Sequence, residues 1–138
     1  MGKLLAFSDP HFHNFKPHST MIGGVNSRLL DVESAVKEAF KIGQWASCDT
    51  ALIPGDIFNV RGNIKPSVFI RVWNLFREAT FKFKIGMLPG NHDMENFHGG
   101  ATSIDAFADQ PDIEVFKGGG SEYARRVLGD FNVLGVQY

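Results

Sequence analysis

With 138 residues, 43% of them apolar, the chain has the length of one small domain able to bury a continuous core without covalent staples. Its 14 Lys and Arg against 15 Asp and Glu leave a formal net charge of -1, so no global basic field marks it for polyanions and any such contact has to be local. A lone cysteine, Cys48, excludes an internal disulfide framework and a cysteine-based zinc cluster, and fits a reducing compartment.

Residues 3–8 open the chain as an apolar strand. They are too short for a signal-peptide core and lead into Asp9 and His11 rather than a cleavage site, and no run approaches the roughly 20 apolar residues of a membrane span. A soluble, cytoplasmic protein is expected. Leu29, Val32, Val36, Ala39 and Phe40 step by three or four and predict a helix over residues 28–42, with Asn26 or Ser27 to cap it and Gly43 to end it. A second strand follows at 50–54. Pro66 starts a second helix over 66–80, whose buried face carries Val68, Val72, Leu75, Phe76 and Ala79, and a third strand occupies 83–89. Beyond it come a loop at Gly99-Gly100, a short helical segment at 103–108, a strand-like alternation at 112–116 and a turn at Gly118-Gly119-Gly120. Two last strands, 123–128 and 131–138, are joined by the hairpin signal Gly129-Asp130. Strands alternating with amphipathic helices predict an α/β sheet in a single domain spanning residues 1–138.

The ends of the first three strands share a design. Leu52-Ile53-Pro54-Gly55-Asp56 and Met87-Leu88-Pro89-Gly90-Asn91 both run apolar, apolar, Pro, Gly and then a short oxygen-bearing side chain, and Asp9 closes the first strand in the same way. Ligands of open α/β sheets sit beyond the carboxyl ends of the strands, so Asp9-Pro10-His11, Gly55-Asp56 and Gly90-Asn91-His92-Asp93 are expected to converge on one rim.

Their chemistry is that of a metal site. Pro10 is expected to hold its dipeptide extended, so that Asp9 and His11 project to one side and grip a cation; mixed carboxylate and imidazole ligands suit Mn, Fe or Zn better than Ca. Asp56, at a turn apex, has two oxygens able to bridge cations about 4 Å apart, the spacing of two-metal hydrolytic sites. Asn91 offers a neutral oxygen to the second metal, His92 is left to act on a phosphate, and Asp93 is placed to fix the His92 tautomer. His13 either lines this site or is an exposed loop residue, while His18 and His98 belong to polar, solvated loops. Lys16, Arg28, Arg61, Lys65 and Arg71 are read as ordinary solvated charges as readily as a phosphate path.

Asp-x-His, Gly-Asp and Gly-Asn-His-Asp in this order, each after a predicted strand, resemble the calcineurin-like metallophosphoesterase superfamily. Gly55-Asp56-Ile57-Phe58-Asn59, the full Gly90-Asn91-His92-Asp93 and the Asn26-Ser27-Arg28 helix start are most similar to the nuclease subunit of the SbcCD type and to the recombination endonucleases of tailed phages. The resemblance implies a layered β-sheet core flanked by helices and two divalent cations, Mn foremost, with Fe, Zn or Mg as substitutes. Asp9 and His11 would lie on the first metal, Asp56 would bridge, Asn91 would take the second, and His92 would be catalytic, steadying the phosphate and helping the leaving oxygen depart. It further implies hydrolysis of phosphodiesters in DNA, as an exonuclease or endonuclease of recombination or repair, in bacterial or phage-infected cytosol. The partner would be a coiled-coil ATPase, and a homodimer is compatible with it.

Two departures set alternatives beside that reading. Phe12-His13 stands where the family has Leu-Gly, and Asn59 where it has a second Asp. The family completes its site with a lone His and a Gly-His-x-His, yet no His follows His98 here. The expected fold is therefore incomplete at the C-terminus, in the N-terminal part of a longer protein or in a split or decayed gene product. A phosphomonoesterase or cyclic-nucleotide phosphodiesterase of the same superfamily is one alternative, because these motifs build the metal site and leave the substrate to the loops. A catalytically silent binding or assembly module is the other.

Overall fold

A computed structural model describes residues 2–95, 100–116 and 123–136. The expected turn at Gly118-Gly119-Gly120, His98, Gly99 and the last two residues of the final expected strand lie outside them.

The predicted strands and helices form in the expected order. β1 (Leu4–Ala6), β4 (Thr50–Gly55), β5 (Lys84–Pro89) and β6 (Ile113–Val115) make one parallel sheet in the order β1-β4-β5-β6. The register pairs Leu5 with Ala51, Ala51 with Ile85 and Ile85 with Ile113, so one row of apolar side chains crosses all four strands. The β1 to β4 and β4 to β5 connections pass through α1 (Ser27–Trp45) and α2 (Pro66–Ala79) and step in the same direction across the sheet, which puts both helices on one face. Ala51, Ile53, Ile85 and Met87 are buried in one cluster with Phe40, Val72 and Phe76 of those helices. Arg71 of α2 adds a two-pronged ion pair to Glu33 of α1, a carboxylate that burial would otherwise leave uncompensated.

The opposite face receives an antiparallel hairpin, β7 (Tyr123–Leu128) and β8 (Phe131–Val136), turning at Gly129, whose φ is 57°. Gly86 lets it approach, since a Cβ there would meet Leu128 and Phe116 side chains at 2.7 and 2.9 Å. The result is an α/β fold with helices on one side of a four-stranded parallel sheet and a hairpin on the other. Among the described residues no helix is long and apolar enough to cross a membrane.

Two local expectations change. Gly43 does not end α1, which continues to Trp45; it sits inside the helix because a Cβ there would press on Leu5 and Phe83 at 3.0 to 3.2 Å. Termination comes from Ser47, at φ 61°, with Cys48 N donating to Gly43 O and Ser47 N to Gln44 O, the double bond of a Schellman end. A second hairpin is also present, β2 (Met21–Ile22) and β3 (Val25–Asn26), turning through Gly23 and Gly24 at φ 57° and 80°. The Gly-Gly pair that left-handed hairpin turns require was its sequence signal.

Candidate metal centre

Because β1, β4 and β5 are parallel neighbours, their carboxyl ends share one edge, and the segments that follow stay together past the ends of the strands. His11 N donates to Asp56 O (3.1 Å), Phe12 N to Ile57 O (2.8 Å) and Asn59 N to Phe12 O (3.4 Å), extending the β1–β4 pairing as far as Phe12 and Phe58. Phe12 and Phe58 are both sealed in the core, which anchors the two loops on an apolar floor.

The extended dipeptide expected around Pro10 is overturned. Asp9 and His11 take φ of 52° and 48°, in the left-handed region, Asp9 despite the preference of a residue before proline for extended backbone. The strain, of order 1–3 kcal/mol per residue, is held by hydrogen bonds from Asp9 N to Pro54 O (3.4 Å) and from His11 N to Asp56 O. It places the His11 ring across from His92, with ring centroids 5.4 Å apart and the planes nearly perpendicular.

Three of the five expected site residues meet. His11, Asp56 and His92 present ligand atoms that all lie within 4.8 Å of one another. The Nε2 atoms of His11 and His92 stand 3.7 and 4.0 Å from Asp56 Oδ2. That is too far for hydrogen bonds and suits one cation bonded to each at about 2.0–2.2 Å. A metal ion therefore fits this donor set. Asn91 joins from its own side. Its amide lies 3.3 Å from Asp56 Oδ2 and 3.2 Å from Arg61 Nη2; hydrogen bonding alone turns the nitrogen to Asp56 and the oxygen to Arg61. A cation shared with Asp56 would draw the oxygen in instead. Asp9 lies beside the group and outside it: its Oδ1 accepts the Asp56 amide at 3.2 Å.

Close approach explains the two glycines of the motifs. Gly55, at φ 91°, leaves no room for a Cβ beside the Asp9 carboxylate, and a Cβ on Gly90 would overlap both the carboxylate and the backbone nitrogen of Asp56. Asp56 Oδ1 accepts the His92 backbone N–H at 2.8 Å, so the second motif holds the third directly.

Asp93 does not touch the His92 ring, contrary to expectation. Its carboxylate is almost completely buried and accepts from Ile57 N (2.9 Å), Phe58 N (2.9 Å), Gly90 N (3.1 Å) and Ser103 Oγ (3.0 Å). The ring is held instead by the backbone of Asn59, whose carbonyl oxygen lies 2.6 Å from His92 Nδ1. A carbonyl only accepts, so Nδ1 carries the proton and, in the neutral ring, Nε2 keeps its lone pair toward Asp56. Asn59 O and Ser103 went unread in the sequence. A backbone carbonyl has no sequence signature, and Ser103 lies ten residues beyond its partner.

The other polar residues sort themselves by contact. His13 is half-buried against Phe15 and outside the metal group, and burial followed by the charge of Lys65 lowers its pKa; His18 is exposed. Arg71 is committed to Glu33, Arg28 stacks 4.6 Å from the Phe15 ring centre, and Lys16 and Lys65 are exposed. Of the five basic residues, Arg61 reaches a motif, donating from Nε to Asn91 O at 2.7 Å.

Two carboxyls of the rim are shifted in opposite directions. The Ser8 hydroxyl, the Asp56 amide and the charge of His11 hold Asp9 below the usual carboxylate range, against a smaller opposing effect of burial. Burial pushes Asp93 up, against the pull of its four hydrogen bonds. In metal-free protein Asp93 thus binds its proton more readily folded than unfolded. Its contribution to stability is full below the unfolded carboxylate value, about 3.9, and is lost as pH rises through its raised folded value. Urea unfolding of the wild type and Asp93→Asn, repeated from pH 4 to 7 with chelator present, checks this. The stability difference, wild type minus variant, is expected to shrink as pH rises, and a difference that grows would contradict it.

No known family model matches the chain, and no curated protein matches it.

Proposed function

We propose that this chain carries the metal-binding and catalytic part of a two-metal phosphoesterase that hydrolyses phosphodiester bonds in DNA. The meeting of His11, Asp56 and His92 on one strand-end rim, with Nε2 to Oδ2 separations suited to an ion, is the observation that carries the reading. Imidazole and carboxylate together favour Mn, Fe or Zn over Ca, and Mn is preferred on the strength of the sequence resemblance. Bound cations supply charge neutralisation at the phosphoryl oxygens and a nucleophile at neutral pH. Within that frame His11 and Asp56 would hold the first cation with Asp9 beside them, and Asp56 would share the second with Asn91. His92, anchored at Nδ1, would present its Nε2 lone pair to the cation that His11 and Asp56 hold, and in its doubly protonated form would instead steady the phosphate and give the Nε2 proton to the departing oxygen. DNA as substrate and a coiled-coil ATPase as partner rest on the resemblance of the motifs alone.

One observation favours a second reading. Among the described residues Asp56 and Asn91 are the only expected protein ligands of the second metal, too few for tight binding, which suits a silent module holding one ion. Mn titration followed by hydrolysis assays separates the readings. Two bound Mn ions with Mn-dependent cleavage of duplex or single-stranded DNA are the expected outcome. Hydrolysis confined to aryl phosphomonoesters or cyclic nucleotides would move the assignment to those enzymes, and one weakly held ion without hydrolysis would favour the silent module.

A further inference from the structure

The buried carboxylate of Asp93 ties together three segments: the loop after β4, the turn after β5 and the stretch at Thr102-Ser103 that bridges back to Met94. Oδ2 accepts from Ile57 N and Gly90 N, and Oδ1 from Phe58 N and Ser103 Oγ, at 2.9 to 3.1 Å; Ser103 N returns a bond to Asp93 O at 2.7 Å. Ile57 and Phe58 are the residues between Asp56 and Asn59, whose backbone oxygen anchors His92. Gly90 N starts the turn that carries Asn91 and His92. A side chain adjacent to His92 in sequence thus reaches its ring by a route through another loop.

We propose that Asp93 is a positioning residue that sets the tautomer and orientation of His92 through the backbone of residues 57–59, with no contact to the ring. Two of its four donors are the amides of Ile57 and Phe58, so the carboxylate holds those peptide planes, and together with the Asn59 N–H on Phe12 O this backbone course sets where the Asn59 carbonyl points. The carbonyl then selects the Nδ1–H form and aims Nε2 at Asp56. The side chain of Asn59 has no part in this, so truncating it is harmless to the imidazole. Outer partners of this kind typically change metal affinity by 10–100-fold when removed, because a ligand ring left free to rotate no longer presents its lone pair. The consequence for Mn affinity rests on the proposed metal reading; the tautomer itself does not.

The test is long-range proton–nitrogen NMR on metal-free protein with labelled histidine, at a pH where His92 is neutral. The wild type and Asn59→Ala are expected to show His92 as a single Nδ1–H tautomer. Asp93→Asn, which faces an amide group toward backbone N–H donors, is expected to give a mixture of tautomers while keeping its helical circular dichroism. Mn affinity should fall roughly tenfold or more in Asp93→Asn and stay unchanged in Asn59→Ala. A single Nδ1–H tautomer in folded Asp93→Asn would overturn the proposal, as would loss of that tautomer in Asn59→Ala. If wild type binds no Mn but the tautomer pattern holds, the metal reading fails and the positioning role stands. Should Asp93→Asn not fold, amide exchange in the wild type decides: slow exchange at Ile57, Phe58 and Gly90 supports the link, and rapid exchange at Ile57 and Phe58 overturns it.

Discussion

Asp56→Asn is expected to cost at least a hundredfold in Mn affinity and on the order of a thousandfold in phosphodiester hydrolysis, the latter about 4 kcal/mol at the transition state. Asp56 is buried, and its Oδ2 is the atom that both imidazole Nε2 atoms and the Asn91 amide face. The variant has nearly the same volume and keeps one oxygen able to accept the His92 backbone N–H, so the turn after β4 persists. What disappears is the carboxylate charge that draws a cation into the group, leaving two imidazoles and an amide, with the Asp9 carboxylate outside it. Unfolding by urea should therefore change by no more than about 1 kcal/mol, the scale of one ordinary hydrogen bond, while Mn titration and hydrolysis collapse together. Retention of wild-type Mn affinity would remove Asp56 from the centre of the site. Loss of hydrolysis with unchanged metal binding would recast it as a group acting on the substrate alone.

The parts of this fold that could be read in the sequence are those where a long pattern repeats. Residues 29, 32, 36, 39 and 40, and 68, 72, 75, 76 and 79, each mark one helix face over three turns or more, and both helices form there. The two Pro-Gly strand ends likewise place Asp56 and Asn91 on one rim, because parallel neighbours must end at the same edge. Single positions carry less information. Gly43 has the composition of a helix end but is a glycine demanded by Leu5 and Phe83, contacts made far along the chain; the true end uses Ser47, a residue type without a marked preference for that conformation. Asp9 and His11 were misread because the pre-proline rule at Asp9, and the extended course expected of His11 after it, yield here to hydrogen bonds donated to β4 and the loop after it. Asp93 was misread for a related reason. Sequence adjacency put its carboxylate beside His92, whereas the tight turn from Gly90 sends the two side chains different ways, one to the rim and one into the core.

Phe107→Ala tests whether that core and the rim are one structure. Phe107 comes from the short 3-10 helix at Asp105–Asp109, whose approach is fixed by Thr102 N donating to Asp105 Oδ2 at 3.0 Å. Its fully buried ring lies 5.3 to 6.5 Å, centre to centre, from Trp73, Phe76, Phe69 and Phe58. Truncating such a ring removes its transfer free energy and leaves a cavity that stiff aromatic neighbours fill poorly, a loss of about 3–5 kcal/mol. Against a total stability of roughly 5–15 kcal/mol for a domain of this kind, the urea midpoint should drop sharply with its slope unchanged. The effect should not stop at stability. Phe58 stands on this cluster, donates its amide to Asp93 and directly precedes Asn59, whose carbonyl holds His92. A cavity beneath Phe58 lets the 57–59 backbone relax away from the rim. At temperatures where the variant remains folded, Mn affinity should accordingly fall severalfold, with His92 showing both tautomers. A large loss of stability with wild-type affinity and a single tautomer would mean that the rim is held by its own hydrogen bonds, independently of the aromatic floor.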